Sequence, residues 1–186
     1  NFFKTYIWNN VIIQVLPGVF GYHGVDPGSL LLMSTFKANI YGKVLDIGSG
    51  SGILSVLLIK QSKKKINLTL SDINSEALIS SKKTLKSNNI SGNVIASDLF
   101  SHITNKFNLI ISNPPLHDDL KFSRNTIKEL IQQSVHYLHN KGELRIVVSN
   151  FLSYSKKIKK IFGNCSILKS TNCFKVYQAF LVNKSF

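Results

Sequence analysis

VLDIGSGSGILSVLLI, residues 44–59, is the stretch that decides the fold. Val44 to Gly48 reads as a buried strand, apolar except for Asp46. Gly48, Gly50 and Gly52 then permit a tight turn and let backbone approach a ligand closely. From Gly52 to Ser62 the spacing is helical. A buried strand that turns through glycines straight into a helix is the opening of a βαβ unit.

The pattern continues on both sides. INLTLSD (66–72) and NVIAS (93–97) read as strands around a helix from Ser75 to Ser87, with Ala77, Leu78, Ser81 and Leu85 on one side. FNLIIS (107–112) runs through Leu109, Ile110 and Ile111 without a polar break, as a central parallel strand should. An amphipathic helix is expected from Phe122 to His139, then strand ELRIVVS (143–149), a basic helix from Ser155 to Phe162, and strands CSILKS (165–170) and CFKVYQAFLV (173–182). Before residue 44 lie strand-like pieces between Tyr6 and Val15, and Asp26-Pro27 marks a helix start, cap then first-turn proline. The expectation is one α/β domain over residues 1–186: a doubly wound, mostly parallel sheet with helices on both faces and an antiparallel C-terminal hairpin.

Composition fits such a domain. With 44% hydrophobic residues the chain can bury a core, and the longest apolar run, ILSVLLI, is too short to span a bilayer. No membrane association is expected. The first residues, NFFKTYIWNN, lack the layout of a signal peptide. They also lack Met, so the expectation is the remainder of a longer protein, working in the cytosol. Cys165 and Cys173 show no metal-ligand spacing and read as reduced core residues; no metal is expected. The net charge of +14 has two readings. One is attraction to a polyanion such as nucleic acid. The other is codon bias, since Lys greatly outnumbers Arg and the lysines are dispersed over solvated faces.

The glycine turn discriminates between ligands. A dinucleotide fingerprint, G-x-G-x-x-G, would put its third glycine at position 53, which is Ile53. DIGSGSG better suits a nucleoside carrying an amino-acid tail, which has no pyrophosphate to seat on a helix N-terminus. Asp72 closes the next strand, where a carboxylate can accept from vicinal ribose hydroxyls; the competing role is N-cap of the helix that follows. Asp98 could accept from an adenine amino group or cap the short turn after it.

At the end of FNLIIS stands SNPPLHDD (112–119). Two prolines remove two donors and hold Asn113 extended. Its amide and the following carbonyls form a rigid, acceptor-rich rim.

DIGSGSG, Asp72, Asp98 and SNPP together resemble class I methyltransferases that use S-adenosylmethionine, in the branch that methylates planar nitrogens. LPGVFGYHGVDPGSLLL (16–32), SNPPLHDD and GELRIVVSNFLSY with FKVYQAFL narrow this further. From about Thr5 onward the chain resembles the guanine-N2 methyltransferases of bacterial 16S ribosomal RNA. The resemblance implies a Rossmann-like fold of seven strands. It also implies S-adenosylmethionine bound by Asp46, Gly48, Ser49, Gly50, Gly52, Asp72 and Asp98, with Asn113 and the Pro114 carbonyl accepting from the target amine. Pro115, Leu116 and Phe20 would line the substrate side, Leu116 standing where the family has an aromatic. Phe20 could equally be a core aromatic. His117, Asp118 and Asp119 are expected to serve the loop or the RNA rather than to accept a proton. The implied partner is 16S rRNA, met in the assembled 30S subunit by a monomer, and the family's N-terminal companion domain is expected to be absent from this chain. The alternatives are methylation of DNA adenine or protein glutamine, a nonenzymatic RNA-binding relic, and, weakest, a nicotinamide oxidoreductase.

Overall fold

The structure, a computed structural model, describes residues 2–114 and 120–182. A hairpin of β1 (Lys4–Trp8) and β2 (Val11–Val15) precedes helix α1 (Pro27–Met33). Then come β3 (Gly42–Ile47), α2 (Ile53–Gln61), β4 (Ile66–Asp72), α3 (Ser75–Ser87), β5 (Asn93–Ala96), β6 (Phe107–Ser112) and α4 (Leu120–Ser134). The chain closes with β7 (Leu138–Ser149), α5 (Ser155–Phe162), β8 (Ser166–Ser170) and β9 (Phe174–Phe180).

Seven strands form one sheet in the order β5-β4-β3-β6-β7-β9-β8, with β1 and β2 as a separate pair. β3 to β7 are parallel, while β9 runs antiparallel to both β7 and β8. The chain winds outward from β3 to β5, then returns to β6 on the other side of β3. Strand order therefore reverses between β3 and β6, and ligands of open α/β sheets bind at the carboxyl ends of such strands.

The alternation of β3 sorts its side chains between two cores. Val44 joins α1, α2, α3 and β2 on one face; Leu45 and Ile47 join α4 and α5 on the other. β2 is held on α3 by a polar ladder. Ser80, Thr84 and Asn88, spaced one helical turn apart, accept from the backbone N–H groups of Leu16, Gln14 and Ile12 at 3.0, 3.0 and 3.1 Å. Two residues of strand rise about 6.7 Å and four of helix about 6 Å, so the ladder stays in step. Across the sheet, Arg145 donates to Glu143 at 2.6 Å and to the Thr35 carbonyl at 2.9 Å, tying β7 to the end of α1.

Three sequence expectations need correction. The helix expected over Phe122–His139 ends at Ser134. His136 and Tyr137 N–H groups turn back to Gln133 and Ser134. Tyr137 then stacks on Phe100, ring centroids 4.5 Å apart, and Leu138 pairs with Phe107 as the first residue of β7. Cys173 is exposed and Cys165 half-buried, so neither is a core residue; both flank β8 at the sheet edge. Leu78 is only half-buried, and Ser80 and Thr84 join Ala77, Ser81 and Leu85 on the buried face of α3. No helix among the described residues is long and apolar enough to cross a membrane.

Candidate active site

The turn after β3 is built from left-handed backbone: φ is 70° at Gly48, 52° at Gly50 and 80° at Gly52. At Gly52 a side chain would also meet Ser81, with Cβ 3.1 Å away, so α3 can pack this close only against glycine. The N–H groups of Gly48 and Ser49 donate to the Ser71 carbonyl at 2.8 and 3.0 Å. Gly50 N–H donates to Asp72 Oδ2 at 2.9 Å, and Asp72 Oδ1 accepts from Asn74 N–H at 2.9 Å. The cap of α3 is Asn74, which accepts from Ala77 N–H, so Asp72 is not the N-cap. Its carboxylate fixes the turn and keeps lone pairs on both oxygens for a further donor. The carboxylate of Asp98 is without a partner among the described residues. The short turn after it is closed by Ser97 and Ser101 hydroxyls instead.

Asp46 lies beneath this turn rather than on its surface. It has no exposure, and its Oδ2 accepts from the Ser55 hydroxyl at 2.7 Å. Burial pushes its carboxyl up to about 7, with the charge of Asp72 acting the same way and the Ser55 bond opposing both. Asp46 Oδ1, Ser49 Oγ and Ser71 Oγ are buried without a partner among the described residues, three polar atoms gathered around one turn.

Across the strand-order switch, β6 ends at Ser112 and delivers Asn113. Its amide nitrogen donates to Asp26 Oδ1 and Oδ2 at 3.2 and 3.4 Å and to Ser29 Oγ at 3.0 Å. A carboxylate only accepts, so the nitrogen must face α1 and the carbonyl oxygen is left to accept from something else. Asp26 performs two tasks, since Oδ1 also takes the Ser29 N–H at 3.0 Å as the N-cap of α1. Gly28 lies against both groups: a Cβ there would stand 3.0 Å from Asp26 Oδ1 and 3.3 Å from Asn113 Oδ1.

Between the two halves runs the segment joining β2 to α1. Phe20 is half-exposed, which excludes the core reading, and its carbonyl lies 3.4 Å from where a Cβ on Gly50 would sit. Tyr6 donates its hydroxyl to the Gly21 carbonyl at 2.7 Å. Its pKa is raised, by burial first and by the charge of Asp26 second. Pro114 is buried. Pro115, Leu116, His117, Asp118 and Asp119 lie outside the described residues. The structure thus brings Gly48, Ser49, Gly50, Gly52, Asp72, Phe20 and Asn113 to one edge of the sheet, and puts Asp46 under it. Asp26, Ser29 and Tyr6 join them without a sequence signal for that role, since Asp26-Pro27 marks only the start of α1.

The model of the methyltransferase small domain matches residues 10–178 of the chain. Similar curated proteins include the ribosomal RNA small subunit methyltransferase C of Buchnera aphidicola subsp. Schizaphis graminum, 48% identical over 97% of this chain and 53% of that protein. The protein of the same name from Pectobacterium atrosepticum is 45% identical over 96% of this chain and 51% of that one. The chain therefore spans about half the length of the curated relatives it matches. Among solved structures, the Thermus thermophilus 16S rRNA N2 G1207 methyltransferase, in complex with AdoMet and guanosine, shares the fold. Its TM-score is 0.81 at 24% identity, covering 96% of this chain and 50% of that one.

Proposed function

The chain belongs to the methyltransferase small domain family, and from that premise we propose that it transfers a methyl group from S-adenosylmethionine to the exocyclic N2 of a guanine in 16S ribosomal RNA. The observation that carries this reading is the fixed amide of Asn113. Its nitrogen is bound to Asp26 and Ser29, so its oxygen is aimed as an acceptor before any substrate arrives. The names of the relatives and the N2 G1207 target of the Thermus neighbour support guanine 1207 as the site.

The residues present fit the methyl donor. In a chain of net charge +14, Asp26, Asp72 and Asp98 gather at the carboxyl edge, which suits a cation and repels a pyrophosphate. Asp72 keeps acceptor capacity for ribose hydroxyls, Asp98 is open to an adenine amine, and Ser49 Oγ and Ser71 Oγ await polar partners. The bare backbone of Gly48, Ser49, Gly50 and Gly52 admits a close approach. S-adenosylmethionine, when bound, supplies an electrophilic methyl group on a sulfonium.

Everything else falls to the chain. The lone pair of a guanine N2 is delocalised into the ring, so the amine is a poor nucleophile. Asn113 Oδ1 and the Pro114 carbonyl accept hydrogen bonds from its two N–H groups, draw the nitrogen toward a pyramid and hold its lone pair in line. The nitrogen would gain the methyl carbon as the carbon–sulfur bond breaks and its electron pair goes to sulfur, leaving a neutral thioether. The methylated, now cationic amine then loses one proton to water, so no strong base is needed. Positioning and fixed dipoles carry the rate. The target must leave its stack to enter such a site. We propose a monomer as the working form, since every group named here comes from one chain. We place its work in the cytosol, on the small subunit.

The test is nucleoside mass mapping of small subunits lacking the modification, after incubation with the protein and S-adenosylmethionine. One N2-methylguanine in 16S rRNA is expected. Donor binding without methylated rRNA would overturn the substrate assignment.

A further inference from the structure

Beyond Asn113, the same edge of the sheet carries a corner that the methyl transfer does not use. Ser112 is level with Ile146 of β7, so β7 runs on past Asn113 through Ser149 before the chain turns. The turn is pinned on both sides. Asn150 N–H donates to the Cys173 carbonyl at 2.8 Å, Leu152 N–H returns to the Ser149 carbonyl at 3.1 Å, and Tyr154 N–H reaches the Tyr177 hydroxyl at 3.2 Å. Leu152 and Tyr154 are buried, and Phe151, immediately before them, is left 93% exposed. A ring held in water by its own pinned neighbours is a surface waiting for a flat partner.

Cations lie on the neighbouring elements α5, β9 and α4. Lys156 and Lys157 lie in the first turn of α5, where the axis dipole disfavours positive charge, and no acid accompanies them. Helix stability therefore does not explain them. Lys175 is opposite Val148, its ammonium 5.7 Å from the centroid of the Tyr177 ring. Lys157 donates to Gln132 on α4 at 3.3 Å, and Arg124 and Lys128 continue that stripe of α4, both exposed. The neighbouring acid, Glu129, accepts from Gln133 at 2.7 Å.

We propose that this corner is the docking platform for the single-stranded RNA that presents the target guanine. Phe151 stacks on a base beside the target, and Lys156, Lys157 and Lys175, with Arg124 and Lys128 behind them, take successive phosphates. An exposed ring among cations is the arrangement by which proteins grip single strands without reading their sequence. The proposal rests on the reading of the chain as an RNA methyltransferase and adds the surface by which the RNA is held.

The test compares the wild type with Phe151→Ala and with the triple variant Lys156→Gln, Lys157→Gln, Lys175→Gln. The probe is a short fluorescein-labelled single-stranded RNA with one central guanine, followed by anisotropy over a salt series. Phe151→Ala should weaken binding roughly tenfold. The triple variant should flatten the dependence of log affinity on log salt by about 2, since each phosphate deprived of its lysine lowers the slope by about 0.7. Calorimetry should find donor affinity unchanged in both. Unaltered RNA affinity in the first and an unaltered salt slope in the second would overturn the proposal. So would a change in self-association of Phe151→Ala without a change in RNA affinity, which would make the corner a protein-binding surface. The two failures are separable. If the wild type binds donor but leaves 16S rRNA unmethylated, the enzymatic reading falls; if it methylates and both variants do so with the same KM, only the platform falls.

Discussion

Gly28→Ala should make the protein no less stable and a poorer catalyst. Gly28 sits in the first turn of α1 with ordinary helical backbone, so alanine is the better helix former by about 0.8–1 kcal/mol. The added Cβ, however, would stand 3.0 Å from Asp26 Oδ1 and 3.3 Å from Asn113 Oδ1. Ordinary van der Waals separation there is about 3.4 Å or more, so the carboxylate and the amide must give by about 0.1–0.4 Å. Displacing a positioning group by 1 Å can cost about a hundredfold in rate. Scaled to the displacement here, the loss is roughly two- to sixfold, about 0.4–1 kcal/mol of barrier. The assay is single-turnover methyl transfer to small subunits at saturating donor, with calorimetry for donor affinity and urea denaturation for stability. Donor affinity should hold, because the glycine turn lies across the strand-order switch. A rate equal to the wild type in a folded Gly28→Ala protein would refute the claim that the Asp26–Asn113 geometry sets the chemistry.

Two further outcomes follow from the donor side. Asp72→Ala removes the acceptor of the Gly50 N–H together with the proposed ribose bonds, and bonds to a charged acceptor are worth about 1.5–3 kcal/mol each. Calorimetry should show S-adenosylmethionine affinity down tenfold or more, and an unchanged affinity would sink the ribose role. Asp46 makes stability depend on pH. Its carboxyl titrates near 7 when folded against 3.8 ordinarily, so the folded state holds a proton that the unfolded state has lost. The contribution is full below 3.8 and is lost as pH rises through about 7. It is worth on the order of 4 kcal/mol for a wholly buried group. Urea titrations across this window should show the wild type losing stability relative to Asp46→Asn, and parallel curves would contradict it.

Features carried by hydrophobic period and backbone chemistry were legible in the chain. VLDIG had to be a strand because it is apolar on both faces, and three glycines at alternate positions admit few other geometries. The Asn-Pro step after Ser112 marked where β6 ends. What escaped was decided by pairing between distant segments. Apolar spacing runs on through Tyr137 and Leu138, but stacking on Phe100 and pairing with Phe107 bury them as strand. Ser80, Thr84 and Asn88 look like a solvated stripe until β2 supplies the donors they satisfy. Asp26 is recognisable as a helix cap, yet its second task depends on an asparagine eighty-seven residues away. A cap and an anchor look alike in one dimension.

The central claim is that Asn113, oriented by Asp26 and Ser29, acts on the target amine and not on the donor. Asn113→Ala tests it by single-turnover methyl transfer to unmodified small subunits at donor concentrations shown to saturate the variant. The account predicts donor binding within about twofold of the wild type and transfer slowed by at least about a hundredfold, the scale on which a lost oxyanion-hole donor slows acyl transfer. Transfer at the wild-type rate with the donor saturated would contradict it.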